Sequence, residues 1–137
     1  MTIPSPITKN NTMTKIREIY VCELCGNTIE VLTPGDGDLA CCGQEMVLQK
    51  ENTVEAAQEK HVPVLKVEGT VATVNVGSVP HPMEPNHNIA WIEIVQNFKL
   101  QRVTLQSGDA PQAVFSVEPG APISVRASCN LHGVWSV

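Results

Sequence analysis

From Val62 onward, apolar and polar positions alternate in short runs that predict strands at residues 64–68, 70–76, 89–96, 98–105, 113–117 and 123–129. Gly77-Ser78, Ser107-Gly108-Asp109 and Pro119-Gly120 separate them, turn chemistry at the spacing of an all-β sandwich. No helical period appears in this part. In the last run Ile123, Val125, Ala127 and Cys129 alternate with Ser124, Arg126 and Ser128, so the Cys129 thiol ends the apolar face and points inward. Alternation is weak over residues 98–105, and a bulge between Leu100 and Val103 would reconcile it. No internal repeat is visible.

The character of the chain changes near residue 50. Residues 14–49 hold four cysteines and short apolar runs at 19–22 and 28–32, interrupted by the turn-forming Pro34-Gly35-Asp36-Gly37. So short a piece buries too little surface to fold alone, and a metal clip would supply the missing stability. The polar stretch 50–58, KENTVEAAQ, reads as a linker, and residues 59–137 form the strand-rich domain. Residues 1–13 lack the charged start and apolar run of a signal peptide and read as a disordered tail. Within them Asn10-Asn11-Thr12 matches a glycosylation acceptor, a three-residue pattern that matters only in a secreted protein.

With 137 residues and a net charge of −5, the chain offers no basic block to displace counterions from nucleic acid or to bind an acidic membrane surface. Nothing approaches a membrane-spanning apolar run. Five cysteines without a secretion signal point to metal ligation over disulfides, and the odd count agrees.

Two constellations carry chemistry. In the first, Cys22-Glu23-Leu24-Cys25 is followed by the adjacent pair Cys41-Cys42. A C-x-x-C turn converges two thiolates on one ion and a second pair completes a tetrahedral sulfur shell, suited to zinc or a single iron. Adjacent ligands cannot both be as relaxed as those of the turn, so some distortion is expected. A purely structural zinc ribbon, or redox chemistry at Cys22-Cys25, would use the same residues.

The second is His61, His81, His87, Cys129 and His132, every histidine of the chain and its one cysteine beyond Cys42. Each alone would be an ordinary surface or core residue. As a set they exceed what a tetrahedral zinc site takes, and imidazoles with a thiolate suit iron or copper over magnesium or calcium. The prolines of Pro80-His81-Pro82-Met83-Glu84-Pro85 stiffen the backbone carrying a ligand. Cys129-Asn130-Leu131-His132-Gly133 is a compact clip able to give sulfur and nitrogen to one ion. Five ligands leave one octahedral position open.

Taken together, the C-x-x-C with its later Cys-Cys, Glu59-Lys60-His61-Val62-Pro63-Val64, Gly77-Ser78-Val79-Pro80-His81-Pro82-Met83, His87, Trp91-Ile92-Glu93 and Cys129-Asn130-Leu131-His132-Gly133 resemble the desulfoferrodoxin family of two-iron superoxide reductases, over residues 14–137. The resemblance implies a desulforedoxin-like iron site at Cys22, Cys25, Cys41 and Cys42. It also implies an immunoglobulin-like sandwich holding a second, ferrous ion by His61, His81, His87 and His132 in a plane with Cys129 below. Ser128 departs from the family, where an aromatic residue often precedes the cysteine, and so bears on hydrogen bonding near the thiolate.

The activity implied is one-electron reduction of superoxide, with two protons, to hydrogen peroxide, followed by re-reduction from a donor such as rubredoxin or a reductase. By the same likeness, Lys60 would attract the anion and order a proton-delivering water, and Glu59 would be a lid on the open position. A homodimer in a reducing cytoplasm is implied too. The charges are consistent: Fe²⁺ with one thiolate is a +1 site, and at ~5 Å with an effective dielectric of ~20 each unit charge attracts superoxide by roughly 3 kcal/mol. Two other readings remain at this stage: a rubredoxin-like electron carrier, which leaves the five-ligand set unused, and a structural zinc-binding protein, which would be colourless.

Overall fold

The computed structural model describes residues 13–51, 61–78 and 80–137. Contacts divide the chain into two compact units, Met1–Lys50 and Glu51–Val137. The expected tail, except Met13, and the expected linker, except Lys50 and Glu51, lie outside the described residues. Met13 forms an antiparallel bridge with Asp36.

In the first unit β1 (Ile19–Val21) lies between β2 (Thr28–Glu30) and β5 (Val47–Leu48), both antiparallel to it, and β3 (Ala40–Cys41) pairs with β4 (Gln44–Glu45). Its buried apolar side chains among the described residues are Ile19, Cys22 and Val31. A buried aliphatic side chain contributes only about 1.5–3 kcal/mol, so this core cannot offset the ordering of the chain, and one of its three members is itself a thiol.

The second unit is a two-layer sandwich. One sheet has the order β10 (Gln112–Ser116), β7 (Val71–Val76), β6 (Pro63–Glu68). The other has the order β12 (Gly133–Ser136), β11 (Ser124–Cys129), β8 (Ile89–Gln96), β9 (Lys99–Thr104). All pairings are antiparallel. Alternate residues of both sheets fill the core: Ala72, Val74 and Val76 with Ala113 and Phe115 from one, Ile92, Ile94, Val125 and Ala127 from the other. The all-β expectation holds, with Cys129 on the core face as its alternation required.

Three details differ from the sequence reading. Residues 99–104 pair with β8 in unbroken register from Gln96↔Lys99 to Trp91↔Thr104, so no bulge lies between Leu100 and Val103. Leu100 stands opposite Val95 on the outer face, while Val103, opposite the buried Ile92, packs on the core; β9 is an edge strand exposed at every residue but Val103, so burial imposes little alternation on it. The hairpin turn is instead Asn97-Phe98, both at positive φ (52° and 63°), a primed turn whose twist matches the strands. A strand not foreseen, β12, follows His132 and returns along β11 from Cys129↔Gly133. Gly133, at φ 84°, supplies the left-handed residue that this return needs. A register shift does occur at Ser128/Cys129, where β11 passes from Trp91 to Ile89, leaving Ala90 as the extra residue beside the site.

Candidate metal centres

In the first unit the thiols of Cys22, Cys25, Cys41 and Cys42 converge, their sulfurs all within 4.8 Å of one another. Cys25 Sγ is 3.5 Å from Cys41 Sγ, which is 3.8 Å from Cys42 Sγ. A tetrahedron with metal–sulfur bonds of about 2.3 Å has edges of about 3.8 Å, so the spacing is that of four ligands to one ion. All five cysteines of the chain are free of disulfides. The Cys22–Cys25 turn is closed by Gly26 N–H donating to Cys22 O at 2.8 Å and Cys22 N–H donating to Asn27 O at 2.9 Å. Extended neighbours would point their side chains apart; Cys42, at φ 55°, adopts the left-handed conformation that brings its thiol back beside that of Cys41. The distortion expected of the adjacent pair is thus taken up by the backbone.

The thiols are not equivalent. The backbone N–H of Cys25 donates to Cys22 and lowers its pKa to about 6. Cys42 is pushed up to about 12, first through its hydrogen bond with Cys25, and Cys41 is raised by its bonds to Cys25 and Cys22. At neutral pH Cys22 is a thiolate, while Cys41 and Cys42 hold protons that a metal must expel. Between about pH 6.5 and 8 the apparent affinity of this site for Co²⁺ is therefore expected to rise by at least about 100-fold per pH unit. Competition titrations against a chelator of known pH dependence measure the slope, and a rise of tenfold or less would show that the two protons are not there to displace.

In the second unit, His61 precedes β6, His81 and His87 lie in the connection from β7 to β8, Cys129 ends β11, and His132 lies in the turn to β12. One ligand atom each from His61, His81, His87 and Cys129 falls within 4.8 Å of all the others. His132 joins them with its Nδ1 at 3.0 Å from His61 Nε2 and 3.6 Å from Cys129 Sγ. Adjacent nitrogens on an octahedral ion with bonds of about 2.1 Å stand about 3.0 Å apart, so the His61–His132 pair fits that shell.

The rings close a cycle. His61 meets His81 edge to face at 4.8 Å between centroids, His81 meets His87 at 4.8 Å, His87 meets His132 at 5.2 Å and His132 meets His61 at 4.7 Å. This order sets His61 across from His87 and His81 across from His132. Cys129 is buried in the core cluster, so its thiol lies on the core side of the site. His132, on the rim, is exposed.

The surroundings fix which nitrogens face inward. His81 Nδ1 donates to the carbonyl of Pro82 at 2.8 Å, which leaves the Nε2 lone pair free, and that buried Nε2 has no hydrogen-bond partner. A buried unsatisfied nitrogen is costly, and metal ligation removes the cost. Burial also lowers the His81 pKa to about 4, so the ring is neutral at physiological pH, as a ligand must be. Trp135, which the sequence reading did not single out, stacks on His61 at 5.0 Å and 22° and donates Nε1–H to His132 O at 3.0 Å. Its only signal was an aromatic residue three positions after His132. The Pro-rich connection is held to β8 by Ile89 N–H donating to Met83 Sδ at 3.3 Å. Ser128 faces the outer side of its sheet, paired with Trp91 and Val134, so its side chain points away from the Cys129 thiol. Glu59 and Lys60 lie outside the described residues. Soft thiolates in a closed tetrahedron and four imidazoles with one thiolate both fit iron, and the second set leaves a position open.

Comparison with known proteins agrees with this donor chemistry. Residues 53–137 match the family model described as Desulfoferrodoxin, and residues 14–49 match the one described as Desulfoferrodoxin, N-terminal domain. A desulfoferrodoxin of Syntrophotalea carbinolica is 55% identical over 119 residues, covering 87% of this chain and 94% of that protein. A superoxide reductase of Pyrococcus abyssi is 35% identical over 95 residues, covering 56% of this chain and 83% of that one. Among solved structures, the superoxide reductase from Treponema pallidum superposes with a TM-score of 0.72 at 30% identity, covering 88% of this chain and 96% of that one.

Proposed function

From the membership of this chain in the desulfoferrodoxin family, we propose that it is a superoxide reductase, holding iron at Cys22, Cys25, Cys41 and Cys42 and at His61, His81, His87, His132 and Cys129. The observation that carries the reading is the cycle of four imidazoles with a buried thiol beside it, five donors where an octahedral ion takes six. Iron bound there supplies the single electron that, with two protons, turns superoxide into hydrogen peroxide. Neutral His81 keeps its lone pair for the ion, and the Cys129 thiolate lowers the charge of a ferrous site from +2 to +1. That residual charge matters because the chain as a whole carries −5 and repels the substrate.

Lys60, beside His61 in sequence, adds a local cation and orders the water that delivers protons. Glu59, next to Lys60 in sequence, is assigned the part of the family's carboxylate lid. Rubredoxin or another one-electron donor restores the reduced protein, which works as a homodimer in the cytoplasm. An electron carrier resting on the four-cysteine centre alone would leave the histidine cycle without a task.

Pulse radiolysis of the reduced protein is the direct test. A peroxide yield near one per superoxide is expected; near one half would mean dismutation and overturn the reading. In Lys60→Ala the second-order rate should fall several-fold and lose much of its ionic-strength dependence, since one positive charge that attracts the anion is removed and such attraction is screened by salt. An unchanged rate removes Lys60 from the mechanism.

A further inference from the structure

Three of the five ligands of the histidine-rich centre sit on two separate loops, and one exposed side chain joins those loops. Asn130, directly after Cys129 and two places before His132, makes three hydrogen bonds across the gap. Its Oδ1 accepts from Asn88 N–H at 2.8 Å, its Nδ2 donates to Asn86 O at 3.1 Å, and its own N–H donates to Asn88 O at 3.1 Å. The partners flank His87 on both sides. Because both side-chain partners are backbone groups of fixed polarity, the amide has one orientation that satisfies them.

The loop so gripped is itself closed. Glu84 N–H donates to His87 O at 2.9 Å, His87 N–H donates to Glu84 O at 3.1 Å, and Asn88 Nδ2 reaches Glu84 O at 2.8 Å. It therefore behaves as a small rigid piece carrying His87, and its seating against the Cys129–His132 turn decides how far His87 stands from the thiol and from His61 across the cycle. We propose that Asn130 is a positioning residue which docks the His87 loop onto the Cys129–His132 turn and thereby sets the span of the five-ligand site. The inference rests on the metal-holding reading of that site and is independent of the substrate.

The experiment loads the full chain with iron, adds excess chelator, and follows loss of the thiolate absorption of the histidine-rich centre, with the four-cysteine centre of the same chain as internal reference. Asn130→Ala should release this iron about 10- to 100-fold faster, the range seen when a group orienting a ligand is removed, with the four-cysteine centre unchanged. Asn130→Asp keeps the acceptor and loses the donor; it should fall between, and is read instead if the alanine variant does not fold. Leu131→Ala, at an exposed neighbour in the same turn, should keep the wild-type rate. Release within about twofold of wild type in both Asn130 variants, or equal acceleration at both centres, overturns the proposal. Wild-type protein that binds one iron per chain would overturn the metal assignment itself, a result distinct from an unaffected variant.

Discussion

Cys129→Ser should abolish the thiolate absorption of the histidine-rich centre, leave that of the four-cysteine centre intact, and slow superoxide reduction by more than about 100-fold. Removing a group that only supports a ligand costs up to about 100-fold in affinity or activity, and Cys129 is a ligand itself. Its sulfur lies 3.6 Å from His132 Nδ1, on the core side of the imidazole cycle. A serine hydroxyl there does not ionise in the physiological range, so the ion would face four neutral nitrogens with no anionic partner. The residue is 2% exposed, and burying a hydroxyl at such depth costs at most about 1–3 kcal/mol, a loss within the stability of an ordinary domain. Separate loss of one spectral centre with retained folding is thus the expected pattern. Two intact absorbing centres in the variant, or an undiminished peroxide-forming rate, would show that the sulfur is not a ligand of the working ion.

The role of Cys129 is legible in the sequence because of the kind of information a linear pattern contains. Cysteine and histidine report their chemistry through side-chain type, and the alternation ending in Cys129 placed its thiol inward, as it is found. The strand expected over residues 89–96 is observed as Ile89–Gln96, because Gln96 leads into a turn and the run is nearly all apolar. The cyclic order of the histidines was not readable, since it depends on which loops meet at one end of the sandwich. Strand β12 escaped notice because Gly-Val-Trp-Ser has no alternation of its own and is fixed by pairing with β11. The docking by Asn130 escaped for a related reason: its partners are backbone atoms 42 and 44 residues away.

Glu93 is the extreme case of this blindness, and Glu93→Gln is expected to destabilise the second unit by about 3–5 kcal/mol. It is the one charged residue of β8, yet it is 1% exposed. Register explains the burial: Arg102 on β9 and Arg126 on β11 stand directly opposite it on either side. Glu93 Oε1 accepts from Arg102 Nε at 3.1 Å and Nη2 at 2.8 Å, while Oε2 accepts from Arg126 Nε and Nη2, both at 2.6 Å. Both guanidinium groups lie near the Trp91 ring, at 5.3 and 5.9 Å from its centroid, so the carboxylate is roofed by cations and an aromatic surface. A neutral amide would leave the Arg126 side chain, 10% exposed, near Glu51 at 3.4 Å, and that carboxylate is 47% exposed and screened by water. Arg102→Ala should cost less than Arg126→Ala, because the Arg102 side chain is 31% exposed and already partly solvated. Replacing Glu93 and Arg126 together by leucine should recover much of the loss, since breaking a buried pair is far more damaging than exchanging it for apolar packing. Urea unfolding followed by tryptophan fluorescence gives the ranking. A Glu93→Gln variant within about 1 kcal/mol of wild type would mean that the two arginines do not depend on this charge.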